Sequence, residues 1–196
     1  YVLAFDQSLS PHVRVKVETY YQHLFNIAVE DDPNSSLSTI NNEEGYITDP
    51  LVNRGLGRNY GLELTLEHFL HNNLYFLVSG SLYESHYRAL DNVWRNTRFN
   101  ANRAISVTAG KEFPMAKGRT FGVNFRTLYT GGLRTTPIDV QASLAAGETR
   151  YVESEAYSDQ LPDYFRTDLR FSLKRNKTKS TRTWSLDIQN VTNHQN

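Results

Sequence analysis

Residues 12–29 read HVRVKVETYYQHLFNIAV, and the order of apolar and polar residues in that stretch decides the fold. Val13, Val15, Val17, Tyr21, Phe25, Ile27 and Val29 take the odd positions, with Arg14, Lys16, Glu18, Gln22 and Asn26 between them. Period two of this kind is a strand with one apolar and one wet face, because successive side chains point to opposite sides. Residues 164–174 repeat it, setting Phe165, Leu169, Phe171 and Leu173 against Arg166, Asp168, Arg170 and Lys174.

Five more segments follow the same rule. Leu62, Leu64, Leu66 and Leu70 alternate with Glu63, Thr65 and Glu67; Leu74, Phe76, Val78 and Leu82 line one side of 74–87, where Leu77 breaks the rule. Ile105, Val107 and Ala109 oppose Asn102, Ser106, Thr108 and Glu112. Phe121, Val123, Phe125 and Tyr129 oppose Asn124 and Arg126, and Trp184, Leu186 and Ile188 oppose Ser185, Asp187 and Gln189. No segment carries a helical period, so the chain is expected to be all-β.

The connections alternate in length. A short SLSP turn follows an opening YVLAF strand; then come a long loop at about 30–59, a tight turn at 71–73 and a medium loop near 88–100. A short turn at 114–118, a long loop at about 131–163 and a short basic turn near 176–181 complete the series. In an antiparallel up-and-down sheet, that order places every long loop at one end. The strands implied are long, roughly 10–16 residues against about 5–6 in soluble proteins. Long strands with short turns at one end and long loops at the other predict a transmembrane β-barrel of the bacterial outer-membrane kind.

The polar face sets the orientation. Burying Arg14, Lys16, Glu18, Glu63, Glu67, Arg126, Arg166, Asp168, Arg170, Lys174 and Asp187 dry would cost several kcal/mol per unpaired ion. That face must be wet, which leaves a barrel with a watery lumen or a soluble sandwich with its charges outside. In the barrel, these residues face the lumen. The lipid side is then Val13, Val15, Val17, Leu62, Leu64, Leu66, Val107, Phe121, Val123, Phe125, Phe165, Leu169, Phe171, Leu173, Trp184, Leu186 and Ile188. Tyr20, Tyr21, Tyr87, Phe113 and Trp184 fall near strand ends, where aromatic girdles meet the interface.

Composition agrees. Hydrophobic residues make up 39%, yet Tyr 12, Phe 10 and Trp 2 are plentiful. Lys+Arg and Asp+Glu are both 21, a balance that does not point to nucleic acid. Cysteine is absent, which excludes disulfides, thiol nucleophiles and thiolate metal sites. No apolar run approaches the roughly 20 residues of a spanning helix.

Such a barrel must close, since lipid offers backbone groups no partner. YVLAF is too short to span, and alternation puts both ends of the chain on the long-loop side. The expectation is therefore an incomplete arc of about 7–8 strands.

RGLGRNYG, residues 54–61, spaces its glycines almost like a phosphate loop. A dinucleotide loop needs a helix after the glycines, and LELTLEHFL follows with period two. The expectation is that these glycines turn a long loop into its strand through positive φ.

RGLGRNYGLELTLEH also resembles the loop-to-strand entry found late in the barrel of TonB-dependent outer-membrane receptors, notably the Bacteroidetes type. VWRNTRFNANRAISVTAGKEF (93–113), YTGGLRTTPIDVQASLAAGE (129–148), LPDYFRTDLRFSL (161–173) and WSLDIQNVTNHQN (184–196) resemble that family in the same order. The resemblance implies a 22-stranded barrel of which residues 1–196 are the C-terminal part without the last strand. It implies a plug domain and a TonB-engaging segment upstream, outer-membrane lipid as surroundings, and energised uptake of a siderophore, cobalamin, glycan or peptide. Ligand contacts are expected from the long loops, with Trp94, Arg95, Arg98, Arg134 and Tyr151 as candidates.

Catalytic and metal chemistry is not expected, and neither is a cofactor. His68 and His71 lack an HExxH pattern, while Glu30, Asp31, Asp32, Glu43 and Glu44 lack the oxygen spacing of a calcium loop. Asp168 and Asp187 read as partners for Arg166 and Arg170. The rival reading is a soluble antiparallel sandwich or small barrel that binds a ligand or partner.

Overall fold

The structure is a computed structural model that describes residues 1–42 and 45–195. Eight strands follow one another in chain order: β1 (Val2–Ser10), β2 (Val13–Glu30), β3 (Leu51–His71), β4 (Leu74–Arg88), β6 (Arg103–Met115), β7 (Arg119–Thr130), β10 (Tyr164–Lys177) and β11 (Ser180–Ile188). Each pairs antiparallel with the next, and β5 (Trp94–Asn96) joins the end of β4 to give a nine-stranded sheet. The sheet does not close: β1 and β11 are its edges. A separate two-stranded ribbon pairs β8 (Arg134–Thr135) with β9 (Asp159–Gln160).

The turns at one end are short. Pro11 and His12 join β1 to β2, and Asn72 and Asn73 join β3 to β4 with φ of 51° and 62°. Two successive left-handed residues make the turn that matches strand twist, and Asn tolerates that conformation. Residues 116–118 and 178–179 make the other two turns. The segments 31–50, 89–102 and 131–163 all lie at the opposite end.

Three local expectations need correction. The first strand does not stop at Phe5: SLS belongs to β1, whose nine residues match the length a tilted spanning strand requires. The glycines of RGLGRNYG sit inside β3 and none has positive φ. They are small because β2 lies over them. A Cβ on Gly55 would be 2.5 Å from Val29 Cγ1, on Gly57 3.0 Å from Ile27 Cδ1, and on Gly61 2.9 Å from the Tyr20 hydroxyl. A helix also exists: α1 (Val140–Ala146), capped by Asp139, whose side chain accepts a hydrogen bond from Ala142 N, and by Gly147 at φ 70°. Its Leu144 is exposed, so no apolar stripe announces it.

Register puts every predicted lipid-side residue on one face. The row Val15–Leu66–Val78–Val107–Thr127–Thr167 crosses six strands, and Phe113–Phe121–Leu173–Trp184 crosses the last four. All eleven predicted lumen-side residues lie on the other face, where Arg14 meets Asp6 and Glu67, Thr108 meets Arg126, and Arg126 meets Asp168. Among the described elements, the extensive contacts run between sheet neighbours and within the long-loop end, and no element packs extensively across either face. Val13, Val15, Leu169 and Phe171 are therefore half-exposed rather than interior, and Trp184 and Leu186 are 53% and 61% exposed.

The buried hydrophobics, Val29, Tyr87, Ala89, Ala101 and Ala156, all lie at the long-loop end. Tyr87 thus belongs to this small core and not to a girdle, and Tyr20 points to the polar face over Gly61. Tyr21, Phe113 and Trp184 remain exposed on the apolar side. Among the described residues no helix is long and apolar enough to cross a membrane, which says nothing of strands.

Candidate functional site

The three long loops are tied together by buried polar groups. Asn100 is fully buried: its Oδ1 accepts from Ser85 N at 3.0 Å, and its amide donates to Glu84 Oε2 at 2.9 Å and Asn96 Oδ1 at 2.8 Å. Thr97, also buried, donates to Ser85 Oγ at 2.8 Å, and that hydroxyl donates on to Asn59 Oδ1 at 2.8 Å. Satisfying every buried group in such a chain is what holds irregular backbone in one conformation. From the end of β4, the Tyr87 hydroxyl donates to Ser36 O at 2.9 Å and its ring meets Tyr157 edge-on at 6.0 Å. Arg103 holds Asp163 with two bonds of 2.9 and 2.6 Å, and the Tyr129 hydroxyl donates to the same carboxylate. These bonds keep the Asp163 carboxyl below the usual range, the tyrosine contributing most and the guanidinium next.

Between segments 31–50 and 131–163 lies a cavity of about 660 Å³. Its wall is rich in hydroxyls and amides, including Ser36, Ser38, Asn41 and Thr136, with Tyr151 and Glu153 on the far side. Segment 31–50 is folded back to form it: Val29 bridges Ser38, and Asp31 N donates to Pro50 O at 2.8 Å. Two wall groups have no partner among the described residues, the Ser38 hydroxyl and the Asn41 amide nitrogen. Ser38 and Asn41 are only 5% and 6% exposed, and an unpaired buried polar group is costly. Such a wall can hold a polar, hydroxylated molecule by hydrogen bonds. Glu30 and Asp32 line the cavity and Asp31 does not, while Glu43 and Glu44 are outside the described residues. Among the described residues no group of three or more His, Asp or Glu is placed to hold a metal.

The five candidate ligand residues divide. Arg98 and Tyr151 line the cavity. Arg134 is structural: it donates to Asn100 O at 3.1 Å, Asn102 Oδ1 at 2.7 Å and Ser158 O at 3.3 Å. Arg95 is bound to Asp91 with both side chains almost buried. Trp94 is stacked by Arg58 at 4.5 Å and Arg88 at 5.5 Å. Sequence reasoning placed the loops but missed Ser38, Asn41 and Tyr157; the local signal for the first two is the hydroxyl- and amide-rich run SSLSTINN, and Tyr157 has none.

On the polar face the expected ion pairs are present. Arg166 bonds Asp168 at 2.8 Å, Arg170 grips Asp187 with two bonds, and Lys16 meets Glu18 at 2.6 Å. At the short-turn end His12 and His71 stack at 3.7 Å. The chain matches no family model, and no curated sequence or solved structure matches it.

Proposed function

We propose that the chain is an arc of the wall of a transmembrane β-barrel in a bacterial outer membrane, part of a TonB-dependent receptor that takes up a scarce nutrient. The observation that carries the membrane half is an eight-strand antiparallel meander with two chemically opposite faces, neither of them covered. Its apolar face exposes Leu62, Leu64, Phe125, Trp184, Leu186 and Ile188, the kind of exposed apolar surface that marks a membrane or partner contact. In a bilayer that face meets acyl chains and the ion-paired face meets water. The open edges of β1 and β11 require further strands, because unpaired backbone cannot remain in lipid.

The receptor half rests on the resemblance of the segments at 93–113, 129–148, 161–173 and 184–196, and the loop-end cavity agrees with it. The long loops, with a plug domain, would capture a polar small molecule, glycan or peptide, and the TonB complex would drive plug movement. No enzymatic step and no cofactor belongs to this function.

Expressed with its natural flanking sequence in a Gram-negative host, the protein should fractionate with the outer membrane and need detergent for extraction. Its electrophoretic mobility should change on heating. Recovery as a soluble monomer overturns the proposal; membrane residence with uptake unaffected by loss of TonB overturns the receptor half alone.

A further inference from the structure

Charge is segregated along this chain although its total is zero. Within 111–119 and 173–184, around two of the short turns, Lys111, Lys117, Arg119, Lys174, Arg175, Lys177, Lys179 and Arg182 face a single carboxylate, Glu112. Glu112 pairs with Gly122, and Gly122 with Ser172, on the polar face. Arg119, Arg175 and Arg182 lie on the other face, directly opposite one another across β7, β10 and β11. They form the row immediately beyond Phe121–Leu173–Trp184.

Nothing among the described residues compensates this row. None of the three guanidiniums has an ion pair or a side-chain hydrogen bond among the described residues. Like charges set directly opposite across strands destabilise a sheet. Charged side chains guard exposed edges against pairing, which accounts for Arg182 on β11 but not for Arg119 and Arg175 on interior strands. The row spans about 10 Å at ordinary strand spacing. Arginine is suited to phosphate oxygens because its planar fork donates two parallel bonds.

We propose that Arg119, Arg175 and Arg182 form a site for the phosphate of anionic phospholipid head groups, at the lipid–water boundary of the short-turn end. The site rests on the membrane reading, since only then does the apolar face end at a head-group layer. The aromatic row holds the acyl region, and the arginines meet the head groups one register step further out. Anionic lipid both neutralises the row and fixes the depth of this end of the sheet.

The test uses the protein with its natural flanking sequence, reconstituted in phosphatidylcholine bilayers at low salt. Spin-labelled phosphatidylglycerol and phosphatidylcholine report their relative association with the protein boundary. The native protein should prefer phosphatidylglycerol, and each arginine removed (Arg119→Gln, Arg175→Gln, Arg182→Gln) should lower the preference about fivefold. Replacing all three with lysine keeps the charge but loses the paired bonds, so this variant should insert and retain only part of the preference. Undiminished preference in the lysine variant and in the single glutamine variants overturns the inference. Equal restriction of both lipids by the native protein overturns the inference and leaves the membrane reading intact. Absence of any restricted lipid overturns the membrane reading itself. Loss of the preference on adding inorganic phosphate, beyond a chloride control of equal ionic strength, would make this a free-anion site and also overturn it.

Discussion

Gly132 has no room for a side chain: a Cβ there would lie 1.8 Å from the Leu161 carbonyl oxygen and 2.4 Å from its carbon. Both obstacles are backbone, so they cannot swing aside. Gly132→Ala should destabilise the 131–163 segment by about 1–3 kcal/mol, read as faster proteolytic nicking there. Gly80→Ala, with nothing within 4 Å, is the control that should leave nicking unchanged. The same segment is anchored by Asp163, whose lowered pKa sets the sign of its pH dependence. A carboxyl held below its unfolded value contributes in full at neutral pH, and that contribution disappears as pH falls below about 4 through the folded value. Amide protection across 131–163, taken relative to the intrinsic exchange rate at each pH, should therefore be flat from neutral pH to about 5 and fall in acid. Asp163→Asn should be loosened at all pH values and lose the acid-dependent step. At this scale the sequence was least informative. Arg134 and Arg95 looked like free loop cations, but their partners, Asn102 and Asp91 among them, are chosen by how the loops fold back.

The strands were legible because alternation is local: the two faces assigned from period two are the two faces the register assembles. What failed was the start of β3, since glycine reads as loop when its reason is a neighbour. Gly55, Gly57 and Gly61 lie under Val29, Ile27 and Tyr20 of β2, residues more than 25 positions away that no local pattern reveals. The faces also differ in what a charge would cost. Leu66 sits in the middle row of the apolar face, and Thr65 is its neighbour on the polar side beside Lys16 and Ser79. In a bilayer, Leu66→Arg should reduce folding stability by about 2–4 kcal/mol. Thr65→Arg should change it by less than about 1 kcal/mol, as substitutions on a watery face do. Urea titration in lipid vesicles measures both, and equal costs would mean that the faces do not meet different solvents.

Across the whole molecule the sheet and the loop end are separate structures sharing three strand pairs. The sheet is held by its ladders, whereas the buried core gathers around Val29, Tyr87 and Ala89, where the ends of β2 and β4 run into the loops. That the loops would converge on Tyr87 was not readable, because a tyrosine near a strand end looks the same in a girdle or a core. Its position implies that damage there is local. Tyr87→Phe keeps the ring against Tyr157 but leaves Ser36 O without its 2.9 Å bond, a loss of about 1–3 kcal/mol for a buried acceptor. Tyr87→Ala also empties the space beside Val29 and should cost about 3–5 kcal/mol. If the proposed membrane reading holds, both variants should still assemble in the outer membrane with normal heat-dependent mobility, since residue 87 lies at the loop end of β4. Proteolysis of 31–50 should accelerate in the order native, Phe, Ala, and uptake should fall in the same order because that segment forms one wall of the cavity. Loss of membrane assembly together with loop protection would show that the two ends fold as one unit.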